Sequence, residues 1–359
     1  ISTYNFYKNK KKKKMMSIEK DTNKNKDTNT TLKNSDDNFN LNEKTEEINK
    51  KFHPGIYDLK YIAEGGSSTI YEGKINKNKA VVAIKVMEKE KNIHNSLNEV
   101  NIISRLRHKN IITTYGYSID KNNKYNFIMM EKGKNDLRNF HNKVLRRRIS
   151  SETLLNFICF QILRGLFYLF RNNVVHYDIK PQNIIITDYL DAKIIDFSVS
   201  KYIGDIKTEE VQLNYRGTSY YMAPEVIKTK KIKLKDYHKI DLFSLGVMLY
   251  TLAFGERPFN INHEDTDDDE TIYNKMMTDW KVQNINGTEY SSHFIHFLNR
   301  LLEKDIEKRI NIYEALNDYW VKGGNILMEE KENIYNANVF LTDLITDHFS
   351  NFNSYLFSK

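Results

Sequence analysis

A single cysteine, Cys159, in 359 residues leaves the chain no intramolecular disulfide, which points to a reducing, cytoplasmic setting. Cys159 falls in an apolar helical pattern and reads as a buried thiol, not a nucleophile. No uncharged apolar run approaches the roughly 18 residues that a membrane-spanning helix needs. The lysines Lys10–Lys14 are followed by Met15, Met16 and Ser17, not by the apolar core of a signal peptide. No membrane partner is therefore expected. The lysine run also lacks interleaved aromatic residues, and Asn-, Thr- and Asp-rich sequence follows it. Despite the net charge of +8, the run reads as a solvated tail before a nucleic-acid contact, with nuclear import as its alternative use. There is no internal repeat.

What is present falls into blocks. Residues 1–51 are polar and low in complexity, and are expected to be disordered. From Ile56 the pattern is strand-like: Tyr57, Leu59 and Tyr61, then Thr69–Gly73, then Ala80–Val86. Apolar positions at Leu97, Val100, Ile102, Ile103 and Leu106 predict a helix ending near Asn110, with strands over Ile112–Ser118 and Tyr125–Met130 after it. Beyond residues 131–135 the character changes. Ser151 can cap a long helix, short strands sit at Val174-Val175, Ile184–Ile186 and Lys193–Ile195, and helices dominate from Lys239 to Trp320. The fold class read from this is α+β, with a small β-rich lobe over about 52–130, a polar hinge at 131–135 and a larger helical lobe over about 136–321. Residues 263–270 form an acidic insertion without EF-hand spacing. It reads as a solvated loop, with a docking surface for basic substrates as the alternative. The extension 322–359 carries a helical stripe at Val339, Phe340, Leu344, Ile345, His348, Phe349 and Phe352, whose apolar face needs cover from the helical lobe or from a partner.

The chemistry concentrates in His176-Tyr177-Asp178-Ile179-Lys180-Pro181-Gln182-Asn183 and in Asp196-Phe197-Ser198. Transfer of a terminal phosphoryl group needs the triphosphate held, its charge offset and the acceptor hydroxyl oriented. Lys85, on a strand, can reach the first two phosphates, and Glu99 on the next helix can pair with it. Asp178 can take the acceptor's proton, Lys180 can stabilise the moving group, and Asn183 and Asp196 can ligate magnesium.

In order along the chain, these residues and several others resemble the eukaryotic protein kinases from about Ile56 to Trp320. The matching markers are Val82-Ala83-Ile84-Lys85, Glu99, the loop His176–Asn183, Asp196-Phe197-Ser198, Gly217-Thr218, Ala223-Pro224-Glu225, Asp241 with Gly246, and Asp305 with Arg309. The resemblance implies ATP and Mg2+ as cofactors, with Lys85, Glu99, Asp178 and Lys180 catalytic and Asn183 and Asp196 on the metal. It implies a phosphate-covering loop with Ala63, Gly65, Gly66, Ser68 and Ile70. Ala83, Met130 as gatekeeper, and backbone groups of Glu131 and Gly133 would surround the adenine. It further implies a buried Glu225–Arg309 ion pair and an Asp241 that supports the catalytic loop. Lys180 and Gly217-Thr218 match the serine/threonine pattern, so the implied substrates are Ser and Thr of proteins, the implied state a monomer.

Four positions depart from the family pattern. Ala63 and Ser68 stand where two of three loop glycines are usual. Tyr177 replaces the arginine that pairs with an activation-segment phosphate, so that phosphorylation at Thr208, Tyr215 or Ser219 would lack that partner and activity is expected to depend little on it. Ser198 replaces a glycine, read as a tolerated small residue or as one that favours a single position of Asp196. The competing function is a pseudokinase scaffold. A lipid or small-molecule kinase fits less well, because Gly217-Thr218 and Ala223-Pro224-Glu225 are a peptide platform in this family.

Overall fold

The computed structural model describes residues 56–64, 68–75, 80–88, 97–118, 125–143, 151–187, 189–261, 267–283 and 290–323. Residues 1–51, Gly65, Gly66, the first half of the acidic insertion and the apolar stripe at 339–352 lie outside them. The chain divides into two compact units, one holding residues up to Val100 together with Thr113–Gly133, the other Asn101–Ile112 and Lys134 onward. The architecture is α+β, one unit built on a sheet and the other mainly helical.

The first unit is a five-stranded antiparallel sheet in the order β1-β2-β3-β5-β4. Its strands are β1 (Ile56–Glu64), β2 (Ser68–Ile75), β3 (Val81–Glu88), β4 (Thr114–Ser118) and β5 (Tyr125–Glu131). Side chains alternate across a strand, which sorts the sheet into two faces. Tyr71, Val82, Ile84, Val86, Tyr125 and Phe127 belong to one face and, with Leu59, make a buried apolar cluster. The register pairs Ala63 with Ile70, Ile70 with Lys85, Lys85 with Ile128 and Ala83 with Met130. Those residues therefore share the opposite face. Residues 97–103 are helical and belong to α1, which ends earlier than the apolar spacing predicts. Ile112 was expected to begin a strand. Its N–H instead donates to Ile194 C=O at 3.0 Å, and Ile111 bridges Ile194, because both isoleucines are buried.

The second unit is organised around two helices. After β6 (Asn135–Asp136) and α2 (Leu137–Lys143) comes α3 (Glu152–Arg171), where Ser151 accepts from Leu154 N–H at the N-cap as its sequence position predicts. Helix α3 is long and apolar enough to span a membrane, but 72% of that stretch is buried by the rest of the protein, so it is a core helix. Short strands follow: β7 (Val174–Val175), β8 (Ile184–Ile186), β9 (Ala192–Ile194), β10 (Lys201–Tyr202), β11 (Glu210–Gln212) and, after α4 (Pro224–Ile227), β12 (Lys231–Lys233). They pair as β6-β8-β9, β7-β10 and β11-β12. Helix α5 (Lys239–Phe254) is buried on every face and stops at Gly255, whose φ of 76° closes a left-handed cap onto Thr251 C=O. Helices α6 (Asp269–Met276), α7 (Ser292–Leu301) and α8 (Ile312–Asn317) complete the unit. Trp320 stacks on Phe297, packs tilted against Phe294 and donates its indole N–H to Glu152 Oε1 at 2.8 Å, which ties the last described turn to the start of α3.

Candidate functional site

In the first unit the site residues cluster on one sheet face. Lys85, in the middle of β3, reaches Glu99 of α1, with Nζ 2.6 Å from Oε1 and 2.8 Å from Oε2. Both side chains are buried, so each charge needs the other. The ammonium is thereby held in one orientation on the face that also carries Ala63, Ile70, Ala83 and Met130. Ala63 is fully buried with ordinary negative φ, so an alanine is accommodated at this glycine position. Ser68 begins β2, half-buried. Glu131 donates its N–H to Thr113 C=O at 2.9 Å and accepts from Thr113 N–H at 2.7 Å on Oε1. Gly133 follows it outside any strand.

In the second unit the loop between β7 and β8 is fixed from several directions. Asp241, in the first turn of α5, accepts His176 N–H on Oδ2 and Tyr177 N–H on Oδ1, each at 2.8 Å. Burial pushes the Asp241 carboxyl above the usual carboxylate range, while His176 and these two N–H groups draw it back down. The supporting role implied for Asp241 is therefore seen directly. Asp178 N–H donates to His176 Nδ1 at 3.2 Å. That makes Nε2 the protonated nitrogen, donating to Ile195 C=O at 3.1 Å.

The Asp178 carboxylate is then surrounded by donors. Lys180 Nζ lies 2.5 Å from Oδ2 and Asn183 Nδ2 2.8 Å from the same oxygen, while Thr218 Oγ1 donates to Oδ1 at 2.7 Å. Lys180 also donates to Thr218 Oγ1 at 2.7 Å. Asp178, Lys180 and Thr218 thus form a closed triangle. The close approach depends on Gly217, which has φ 102° and where an added Cβ would fall 2.2 Å from Tyr177 C=O.

Asn183 donates its side-chain nitrogen to both Asp178 C=O and Oδ2 at 2.8 Å, which leaves Oδ1 as the atom it offers a cation. Ile195 N–H donates to Asn183 C=O at 2.9 Å, so Asp196 leaves β9 next to Asn183. Asp196 has φ 66°, a conformation uncommon outside glycine, and Ser198 N–H donates to its Oδ1 at 3.3 Å. An amide oxygen and a carboxylate, carried on stretches joined by the Ile195–Asn183 backbone bond, are hard donors of the kind Mg2+ takes. Ser198 keeps a negative φ, so this conformation does not call for a glycine there. Phe197, fully buried, packs edge-on to His176 at 5.0 Å.

Two findings lie beyond the reach of sequence spacing. Tyr177, with φ 68°, turns its ring inward, where its hydroxyl meets that of Tyr237 at 2.5 Å. Burial first, then Tyr237 and Asp241, raise the Tyr177 phenol far above its usual range. Lys201 Nζ donates to the same Tyr237 hydroxyl at 3.2 Å. Nothing local marks Tyr237 as a partner, because its neighbours in sequence belong to the start of α5. Second, Tyr215 donates its hydroxyl to Asp269 Oδ2, at the start of α6, at 2.8 Å. The implied Glu225–Arg309 pair is present and bidentate, at 2.7 and 3.0 Å.

Residues 57–321 match the family model described as protein kinase domain. The chain is 30% identical over 293 residues to the serine/threonine-protein kinase dst2 of Dictyostelium discoideum, covering 81% of this chain and 24% of that protein. It is 29% identical over 282 residues to the serine/threonine-protein kinase dkf-2 of Caenorhabditis briggsae, covering 76% and 22%. Against the Aurora kinase of Schizosaccharomyces pombe it is 28% identical over 279 residues, covering 76% and 73%. The chain therefore spans about a quarter of the length of the first two relatives.

Proposed function

Because the chain belongs to the protein kinase family, whose members are transferases, we propose that it moves the γ-phosphoryl group of ATP to Ser and Thr hydroxyls of proteins. The observation that carries this reading is the Asp178–Lys180–Thr218 triangle. A carboxylate accepting from three donors is held still, ready to orient an incoming hydroxyl and take its proton. Lys180 is a fixed cation beside that carboxylate, suited to offset charge on the moving group. Lys85, aimed by Glu99, supplies a second fixed cation for the phosphates. Mg2+ held by Asn183 and Asp196 would neutralise charge on the triphosphate.

Activity with little dependence on activation-segment phosphorylation is part of the proposal. At Tyr177 a phosphate would meet a buried phenol whose hydroxyl is already bonded to Tyr237, not a cation. The segment from Asp196 to Glu225 is pinned without phosphate, by β10 on β7 and by β11 on β12. Thr208 lies exposed between those two pairings. The test is transfer of labelled phosphate from ATP to a degenerate Ser/Thr peptide library. The purified chain should be active, phosphatase treatment should change its rate less than about threefold, and Asp178→Asn should lower kcat by roughly 100- to 10,000-fold. No transfer above the Asp178→Asn background would overturn the kinase reading, and a large loss on dephosphorylation would overturn the second part.

A further inference from the structure

Two phenols and an ammonium form a line that ends at the loop bearing Asp178. Tyr177 and Tyr237 are both buried, their ring centroids 5.9 Å apart and their hydroxyls 2.5 Å apart. Lys201, half-buried on β10, donates to the Tyr237 oxygen at 3.2 Å and lies 5.4 Å from the centre of that ring. An ammonium can only donate. The Tyr237 oxygen therefore accepts from Lys201, and its other bond goes to Tyr177.

Tyr177 is the residue from which the site is aimed. Its φ of 68° is uncommon for a residue this bulky. Its N–H donates to Asp241 Oδ1 at 2.8 Å, and its C=O abuts Gly217, where an added Cβ would fall 2.2 Å away. Asp178 follows it in the chain, Thr218 follows Gly217, and the two side chains are bonded at 2.7 Å. Residue 177 thus touches both sides of that contact. Filling this part of the core would need only two rings, which phenylalanine supplies as well. Burying two hydroxyls costs desolvation that their mutual bond offsets, and such a bond fixes a direction that apolar packing leaves free.

We propose that Tyr237 is a positioning residue for phosphoryl transfer. Oriented by Lys201, its hydroxyl holds Tyr177 in this conformation and thereby sets Asp178 against Thr218. This inference rests on the kinase reading of the site.

The test uses the full chain with Tyr237→Phe, with Tyr177→Phe and with both. Three quantities are measured: kcat and KM for a peptide, the thermal midpoint, and hydrogen exchange over residues 174–180. Each single change leaves the other hydroxyl buried without this partner, so the midpoint should fall, and the double change should recover most of it. Activity should not recover. In all three variants kcat should be down about tenfold or more with KM changed less than about threefold, and exchange over 174–180 should be faster. Lys201→Met should lower kcat in the unaltered chain and add nothing in Tyr237→Phe, because the two act through one bond. A double variant with unaltered kcat overturns the proposal, as does unchanged exchange or a further loss from Lys201→Met in Tyr237→Phe. If no chain transfers phosphate while the double variant keeps its midpoint and exchanges faster over 174–180, the kinase reading fails and the hold of Tyr237 on the loop stands.

Discussion

Thr218 gives the site its closure, because its one hydroxyl donates to Asp178 and accepts from Lys180. Thr218→Val keeps the shape and deletes both bonds. Misplacing a reacting group costs on the order of 100-fold in rate, so kcat should fall about 10- to 100-fold, beyond what a stability loss of about 1.5–3 kcal/mol brings to a chain that stays folded. Steady-state kinetics beside a melting curve checks this, and an equal fall in both would mean the threonine is structural. At this scale the groupings the structure makes were legible in sequence: Lys85 with Glu99, and Asp178 with Lys180 and Asn183. The orientation of Tyr177 was not. Its departure from the family pattern was visible, yet its partner Tyr237 lies 60 residues on, and no periodicity links them.

Among the elements, the approach to α5 carries a titration. His238 precedes this helix, its ring 4.6 Å from that of Phe170, and its Nε2 is buried with no hydrogen-bond partner among the described residues. Burial first, then the Lys239 charge, lowers its pKa to about 4, with Asp236 opposing. The folded chain therefore keeps His238 neutral at pH values where the unfolded chain binds a proton. Stability from this group is complete above the unfolded value of 6.5 and falls as pH drops toward about 4. Chemical denaturation from pH 7 to 4 should show that fall, and His238→Gln should flatten it; an identical pH slope in the variant would exclude His238 as its source. Element types were legible because alternation in β2, β3 and β5 and the cap at Ser151 are local signals. The start of the strand expected from Ile112 was not, since Ile111 and Ile112 are claimed by Ile194, a tertiary contact that overrides local pattern.

For the whole molecule, the Glu225–Arg309 pair joins α4 to the segment before α8. Arg309 also donates to Glu303 C=O at 2.8 Å and Lys239 C=O at 3.1 Å. Arg309→Met would leave Glu225 buried and unpaired, at a cost of about 3–5 kcal/mol. Urea unfolding should register that loss, and the double change Glu225→Gln with Arg309→Met should recover part of it. The sequence separations of these contacts have a consequence for synthesis. Lys85 and Glu99 stand 14 residues apart, whereas Asp241 reaches back 65 residues to His176, Arg309 84 to Glu225 and Trp320 168 to Glu152. Domains form from the amino terminus as the ribosome releases them. The lysine–glutamate pair can close early, but the loop bearing Asp178 has no support until α5 has emerged, and its unit is not braced until Trp320 has. A chain stalled between these points would hold the Lys85–Glu99 pair but not the supported Asp178 loop. On the proposed reading, transfer then waits on α5 and Trp320.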